Sequence, residues 1–251
     1  MKIGKYLYQD IPKLFSALRH WRSSIVVHSR GLSFRLLSNN WITKFRARTF
    51  NDKEPEMLDW LDDNLQDGDV FFDVGANVGI YSIYAALRQP KTTVYAFEPE
   101  YSNLHQLKQN ILENTLTENI CPYSLALDGK TGISQLHIQD TTPGAALHTV
   151  SKNDLSKTLT GEDVIWKEGI ATITLDEFCL QSRIIPTIIK IDVDGTELAI
   201  LMGGKKTFSN PRLRSVYIEI GEDQVECEDI LTKHGFVLID MPSDNQIWRR
   251  L

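Results

Sequence analysis

Two short segments concentrate the residue types that can do chemistry. The first, Val70-Phe71-Phe72-Asp73-Val74-Gly75-Ala76-Asn77-Val78-Gly79, is a run of strand formers ending in an acid and a Gly-x-x-x-Gly turn. Glycines there allow a sharp bend and close approach to a ligand, and a helix starting behind them offers free N–H groups. Asp73, at the strand end, suits a ligand ammonium or ordered water. The third glycine of a pyrophosphate-binding GxGxxG turn is missing and no GxxxxGK[ST] occurs. The spacing therefore fits an adenosyl ligand without phosphate better than a dinucleotide or a nucleoside triphosphate. Glu98 closes the next strand 23 residues after Gly75, where a carboxylate receives ribose hydroxyls, and Pro99 stops that strand. Backbone near Ala126, at the end of the following strand, is placed to read an adenine edge. The second segment is Ile189-Lys190-Ile191-Asp192-Val193-Asp194-Gly195-Thr196-Glu197. Three carboxylates so close at a strand end repel one another unless paired, protonated or bound to a cation, and Lys190 is the nearest pairing partner.

These residues need a scaffold, and the apolar periodicity supplies one. Leu7, Ile11, Leu14, Leu18 and Trp21 mark an amphipathic helix over 5–22. SIVVHS and LSFRLLS, joined by Ser29-Arg30-Gly31, form a hairpin. From about residue 54 helices and strands alternate: helix 54–66, strand VFFDVG, helix 79–88, strand TTVYAFEP, helix 102–114, strand NICPYSLAL. Strands follow at 132–138 and 170–175 around an irregular stretch 140–169, then strand 187–193, helix 196–207, strand 215–220 and helix 225–233. Such alternation builds a parallel sheet wound on both faces. GFVLIDM and QIWRR, separated only by a PSDN turn, must pair antiparallel. The fold class is α/β: a Rossmann-like, doubly wound sheet ending in an antiparallel hairpin, the outline of a class I methyltransferase rather than of a dehydrogenase.

Charge divides the chain. Residues 1–50 carry a balance of +9 and residues 51–251 one of −15, so the net −6 joins a basic accessory segment (1–50) to an acidic catalytic domain (51–251). The acidic body argues against nucleic acid as a partner. There is no span of ~20 apolar residues and no secretory leader pattern. Cys121, Cys179 and Cys227 are too scattered for a disulfide framework or a CxxC metal site. A cytoplasmic protein is expected, with peripheral contact to an anionic membrane open to the basic segment through residues such as Lys5, Lys13, Arg19 and Arg22.

In order along the chain, DVGANVG, AFEPE, the Asn110-x-x-x-Asn114 spacing, TLDEF and KIDVDGTELAILMGG resemble the FkbM family of S-adenosylmethionine-dependent methyltransferases, over roughly residues 50–220. Asp194 stands where many members have Glu. The resemblance implies O-methylation of a hydroxyl on a sugar, glycan or secondary metabolite. It places cofactor contacts on Asp73, Gly75, Ala76, Asn77, Gly79, Glu98 and Pro99, with Asp192 near the methyl group. A hydroxyl is a weak nucleophile at neutral pH and needs a base or a metal. Asp192 is the first candidate base. Asp194 and Glu197 are either acceptor contacts or, with Asp192, oxygen ligands for Mg²⁺. Glu219 also points to the catalytic edge, and His148 lies in the irregular stretch 140–169, where an acceptor loop or lid would be inserted, although a lone loop histidine is more often simply exposed. Trp166 could stack on a sugar, though a core contact suits it better. The rival functions are a dinucleotide-dependent oxidoreductase and a non-catalytic adenosyl-binding module.

Overall fold

A computed structural model describes residues 23–250, apart from 152, 154, 159, 160, 162 and 222. The expected helix over 5–22 lies outside the described residues.

The hairpin forms as β1 (Ser24–Ser29) and β2 (Leu32–Leu37). Arg30 and Gly31 both take positive φ, 48° and 83°, the turn geometry that matches the twist of two antiparallel strands. Helix α1 (Trp41–Arg48) follows, capped by Asn40, which accepts from the Thr43 N–H. Packing draws no line at residue 50. Val27, Phe34, Leu36, Ala47 and Phe50 belong to the same apolar cluster as Met57, Tyr84 and Leu107. Part of the basic segment's charge is also met by the acidic body: Arg30 pairs with Asp59 (2.7 Å) and Asp62 (3.0 Å) of α2 (Pro55–Asn64).

The central sheet contains β3 (Val70–Val74), β4 (Thr93–Phe97), β5 (Ile120–Tyr123), β10 (Ile188–Ile191), β11 (Ser215–Glu219), β12 (Phe236–Asp240) and β13 (Asn245–Arg250). Its order is β12-β13-β11-β10-β3-β4-β5. Five strands pair parallel, and β13 runs antiparallel between β11 and β12, so the chain finishes as the PSDN turn requires. Every residue of β10 is buried, as a strand covered on both faces must be. One face packs α2, α3 (Ile80–Arg88) and α4 (Tyr101–Glu113) around Trp60, Phe71 and Tyr84. The other packs α5 (Leu175–Ser182), α6 (Glu197–Gly203), α7 (Lys205–Phe208) and α8 (Gln224–Lys233) around Phe72, Ile189 and Phe208. Between β3 and β10 the strand order reverses, opening a crevice at the strands' C-terminal ends.

The Asn110–Asn114 spacing acquires a physical meaning. Asn110 Oδ1 accepts from the Leu37 N–H (2.9 Å), and Asn114 both accepts from the Arg35 N–H (2.8 Å) and donates to the Arg35 carbonyl (2.7 Å). Two amides four residues apart share one helix face, so they fasten β2 along α4.

Three expectations change. NICPYSLAL does not form one strand: the chain leaves β5 after Tyr123, and β6 (Ala126–Leu127) pairs parallel with β9 (Trp166–Ile173) in a second sheet ordered β6-β9-β7-β8. The stretch 140–169 contains β8 (Thr149–Ser151) and the start of β9, both paired with β7 (Gly132–Ile138). Helix 196–207 breaks at Gly203-Gly204, where a Cβ on Gly203 would stand 2.7 Å from the Asp128 carbonyl.

Candidate active site

The crevice holds a cavity of about 250 Å³ at the C-terminal ends of β3, β4, β10 and β11. Its floor is the Gly75 turn. Gly75 adopts φ +76°, and a Cβ there would stand 1.8 Å from the Asp192 carbonyl oxygen. Only glycine lets β3 and β10 end against each other. Gly79 is needed for a different reason than ligand approach: a Cβ on it would meet Leu107 Cδ1 of α4 at 2.1 Å. Nor are the turn's amides free for a ligand. The Gly75 and Ala76 N–H groups donate to the Phe97 carbonyl, and the Asn77 N–H donates to Glu98 Oε2 at 2.7 Å.

Glu98 is buried and also accepts from the Glu100 N–H at 2.9 Å. Two backbone donors fix its carboxyl at the cavity wall, while burial pushes its pKa up to about 7. Pro99, Ala126 and Asn77 line the cavity with it, and Leu125, Leu127, Leu136 and Val150 make an apolar end.

At the other end stands an ionic chain built on Lys190, whose side chain is 1% exposed. Its Nζ lies 2.9 Å from the Gly75 carbonyl, 3.1 Å from Asp73 Oδ1 and 3.2 Å from Asp192 Oδ2. Asp73 is the register partner of Lys190 on the neighbouring strand; it also accepts from Ser82 Oγ (2.6 Å) and lies outside the cavity lining. It anchors the lysine rather than facing a ligand ammonium. Burial would lower the Lys190 pKa, but Asp192 and Asp73 together raise it. Asp192 lines the cavity and hydrogen-bonds Glu219, which follows it one strand over. Burial would raise the Asp192 pKa; the Lys190 charge and the Glu219 bond outweigh it and hold Asp192 low. Burial, the bond to Asp192 and nearby acids push Glu219 up to about 8.

The expected trio does not meet. Asp192 and Asp194 reach the cavity, but Glu197 lies outside its lining, at the first turn of α6, accepting from the Gly195 N–H. Asp194 Oδ2 accepts from the His148 N–H at 3.0 Å. Among the described residues no three His, Cys, Asp or Glu side chains form a group that could hold a metal ion, so Mg²⁺ is not supported. Burial pushes Asp194 up to about 6 and Glu197 up to about 7.

A strap over 142–148 roofs the cavity. Asn40 Nδ2 donates to the Pro143 carbonyl (2.9 Å), Arg46 Nε to that of Gly144 (2.7 Å), and Asn77 Nδ2 to that of Ala145 (2.8 Å). Asn103 receives the Gly144 N–H and donates to the Ala145 carbonyl. Ala145, Ala146, Leu147 and His148 line the cavity from this strap, as do Arg46, Lys53, Glu54, Asn103 and Asn245 from elsewhere. Apart from His148, sequence reasoning missed these residues, because side-chain bonds to loop carbonyls leave no periodic trace. His148 is buried, contrary to the expectation of an exposed loop residue, and Trp166 is 57% exposed and outside the lining.

One consequence can be measured. Glu98, Asp194, Glu197 and Glu219 all titrate above their ordinary values of 4.5 or 3.8. Between those values and pH 6–8 the folded chain binds more protons than the unfolded chain, so these groups make stability fall as pH rises. The ligand-free melting temperature should drop by roughly 5 °C from pH 5.5 to 8.5. A melting temperature that rises across this window, followed by circular dichroism, would contradict the assignment.

A parallel sheet with one inserted antiparallel strand, a glycine turn after its first central strand and acids ending β4 and β10 defines a Rossmann-like methyltransferase. The sequence profile described as Methyltransferase FkbM domain matches residues 73–238. The chain belongs to the FkbM methyltransferase family. Over 211 residues it is 28% identical to the 31-O-demethyl-FK506 methyltransferase FkbM of Streptomyces tacrolimicus, covering 70% of this chain and 75% of that one. Over 235 residues it is 23% identical to the hexuronic acid methyltransferase AglP of Haloferax volcanii, covering 89% of each. A solved structure, the methyltransferase FkbM of Methylobacillus flagellatus KT, shares the fold with a TM-score of 0.50 and 14% identity, over 98% of this chain and 60% of that chain. Among the described residues no helix is long and apolar enough to cross a membrane.

Proposed function

We propose that the protein is an S-adenosylmethionine-dependent O-methyltransferase acting on a hydroxyl of a sugar, glycan or other natural product. The observation that carries this reading is Asp192, paired at 3.2 Å with the buried Lys190 where β10 meets the Gly75 turn and lining the cavity beside Glu219. The donor set suits the cofactor. Glu54, Glu100, Asp192 and Asp194 line the cavity against two cations, Arg46 and Lys53, an excess of negative charge that favours a sulfonium and an ammonium. Glu98 keeps free lone pairs for ribose hydroxyls, and the apolar end fits a purine. The bound cofactor supplies an electrophilic methyl group. The chain's part is to align the acceptor oxygen with that carbon, and Asp192 accepts the hydroxyl proton as the bond forms. The O-methyltransferase and hexuronic acid methyltransferase relatives support a hydroxyl-rich acceptor.

The test is transfer of label from S-adenosylmethionine to a panel of sugars, glycolipids and polyketides, with Asp192→Asn as comparison. Loss of a catalytic base costs ~10²–10⁴-fold in rate. The variant should retain adenosylhomocysteine binding and lose transfer. Transfer at the wild-type rate would remove Asp192 from the mechanism, and wild-type protein that binds no adenosylhomocysteine would overturn the proposal.

A further inference from the structure

We infer that the outer face of α1 docks the protein on an anionic lipid bilayer. Trp41, Lys44, Phe45 and Arg48 stand at i, i+3, i+4 and i+7, which is one face of a helix. All four are exposed, Trp41 at 71% and Phe45 at 52%. The buried side of the same helix carries only the small Thr43 and Ala47. The usual amphipathic pattern is inverted, with the large apolar residues facing out. One exposed apolar side chain is ordinary, but two aromatics one turn apart, interleaved with two cations, have a chemistry of their own. The helix contains no acid, and among the described residues neither Lys44 nor Arg48 enters an ion pair. Tryptophan settles at the level of lipid headgroups, where its ring meets acyl chains and its N–H meets water. Lys and Arg beside it reach anionic headgroups from the same plane.

Charge decides what covers this face. Residues 1–22, which lie outside the described residues, carry Lys2, Lys5, Lys13, Arg19 and Arg22 against Asp10 alone. The chain they lead into opens beside α1: the Ser23 carbonyl accepts from the Ser38 N–H (2.8 Å), two residues before the Asn40 cap. That sequence and the α1 face are both cationic, so they repel each other, while one anionic surface attracts both. A second copy of α1 brings the same two cations and the same repulsion. The body, with a balance of −15 over residues 51–251, is itself repelled by anionic lipid, which leaves the basic side as the one that approaches.

The contact also positions the cavity. α1 holds the strap through Asn40 and Arg46, and the Ile42 and Thr43 side chains lie against Gly144. The roof of the cavity is therefore one helix diameter, ~10 Å, from the docked surface. This docking does not depend on the methyl-transfer proposal.

The experiment is cosedimentation of the full chain with vesicles of phosphatidylcholine alone or mixed with phosphatidylserine. The variants are Lys44→Gln with Arg48→Gln, Trp41→Ser with Phe45→Ser, and the conservative Trp41→Phe with Lys44→Arg. The wild type should bind the mixed vesicles and lose most of that binding as salt screens the charges. Neutralising the two cations should weaken binding about 30-fold, and removing the two aromatics at least about tenfold. The conservative variant should bind as the wild type does. It also lacks Trp41 as a reporter, so brominated lipid should quench its emission less than that of the wild type. Because all the substituted positions are exposed, every variant should melt within about 2 °C of the wild type. Absence of binding to the mixed vesicles overturns the inference, as does equal binding to phosphatidylcholine alone. Unweakened binding by both substituted pairs, or quenching unchanged by Trp41→Phe, gives the contact to another part of the chain and also overturns it. Self-association that the serine pair abolishes, without vesicle binding, assigns the face to a second copy instead.

Discussion

Lys190→Met should cost about 3–5 kcal/mol of stability, the usual penalty for removing one partner of a buried ion pair. The loss arises because Asp73 and Asp192 both face the same ammonium, and Asp73 has no solvent to turn to, being fully buried between β3 and α3. Ser82 contributes a single hydrogen bond to it. The double variant Lys190→Met with Asp73→Asn should recover much of that stability, since an uncharged amide no longer needs a cation. It should not recover activity. Asp192 loses the charge that keeps it ionised, so its pKa rises and the acidic limb of the kcat/KM profile moves to higher pH. Urea unfolding measures the first effect and a pH–rate profile the second. A stability loss below about 1 kcal/mol in the single variant, or an acidic limb that stays in place in the double variant, would show that the ionic chain does not set the base.

The second large effect is expected at Gly75. Alanine there must tolerate φ +76° and place its Cβ 1.8 Å from the Asp192 carbonyl. The positive φ alone costs ~1–2 kcal/mol. The clash is worse, because the obstructing atom is backbone and moves only if the end of β10 moves, carrying Asp192 with it. Gly75→Ala should therefore lower methyl transfer by at least about 100-fold, by the argument that an ångström of misplacement costs ~10²-fold, and destabilise by a few kcal/mol. Gly79→Ala offers an internal comparison. Its backbone angle is equally unfavourable, but the obstruction is Leu107 Cδ1, a side-chain end that can turn aside. That variant should bind adenosylhomocysteine more nearly as wild type does, and Leu107→Ala should relieve part of its instability. Equal rates for Gly75→Ala and wild type would dissociate the turn from catalysis.

Features legible in the sequence are those that a local pattern encodes. The strand-turn-helix at 70–88 and the helix at 101–113 announce themselves by apolar spacing, and the final antiparallel pair by the shortness of its turn. Helix α1 escapes because its buried residues are the small Thr43 and Ala47, while Trp41 and Phe45 are exposed. An apolar stripe does not show where the large residues face out. The roles of the acids were harder. Asp73 reads as a ligand contact until its register partner is known to be Lys190, and that adjacency depends on strand order. Glu98, Asp192 and Asp194 reach the cavity because each sits at or just past the end of a strand at the switch point. Glu197 lies one step into a helix, and the helix turns it away.

The bonds between β2 and α4 also set an order of assembly. Arg35 and Asn114 are 79 positions apart, and Leu37 and Asn110 are 73 apart. On a ribosome adding ~5–20 residues per second, the hairpin emerges several seconds before the helix that fastens it. Until then its apolar residues, Val27, Phe34 and Leu36, have only part of their cluster, Ala47, Phe50, Met57 and Tyr84, to pack against. The N-terminal hairpin is thus the first part of the described chain to be made and among the last to find its place, a window in which chaperones can act.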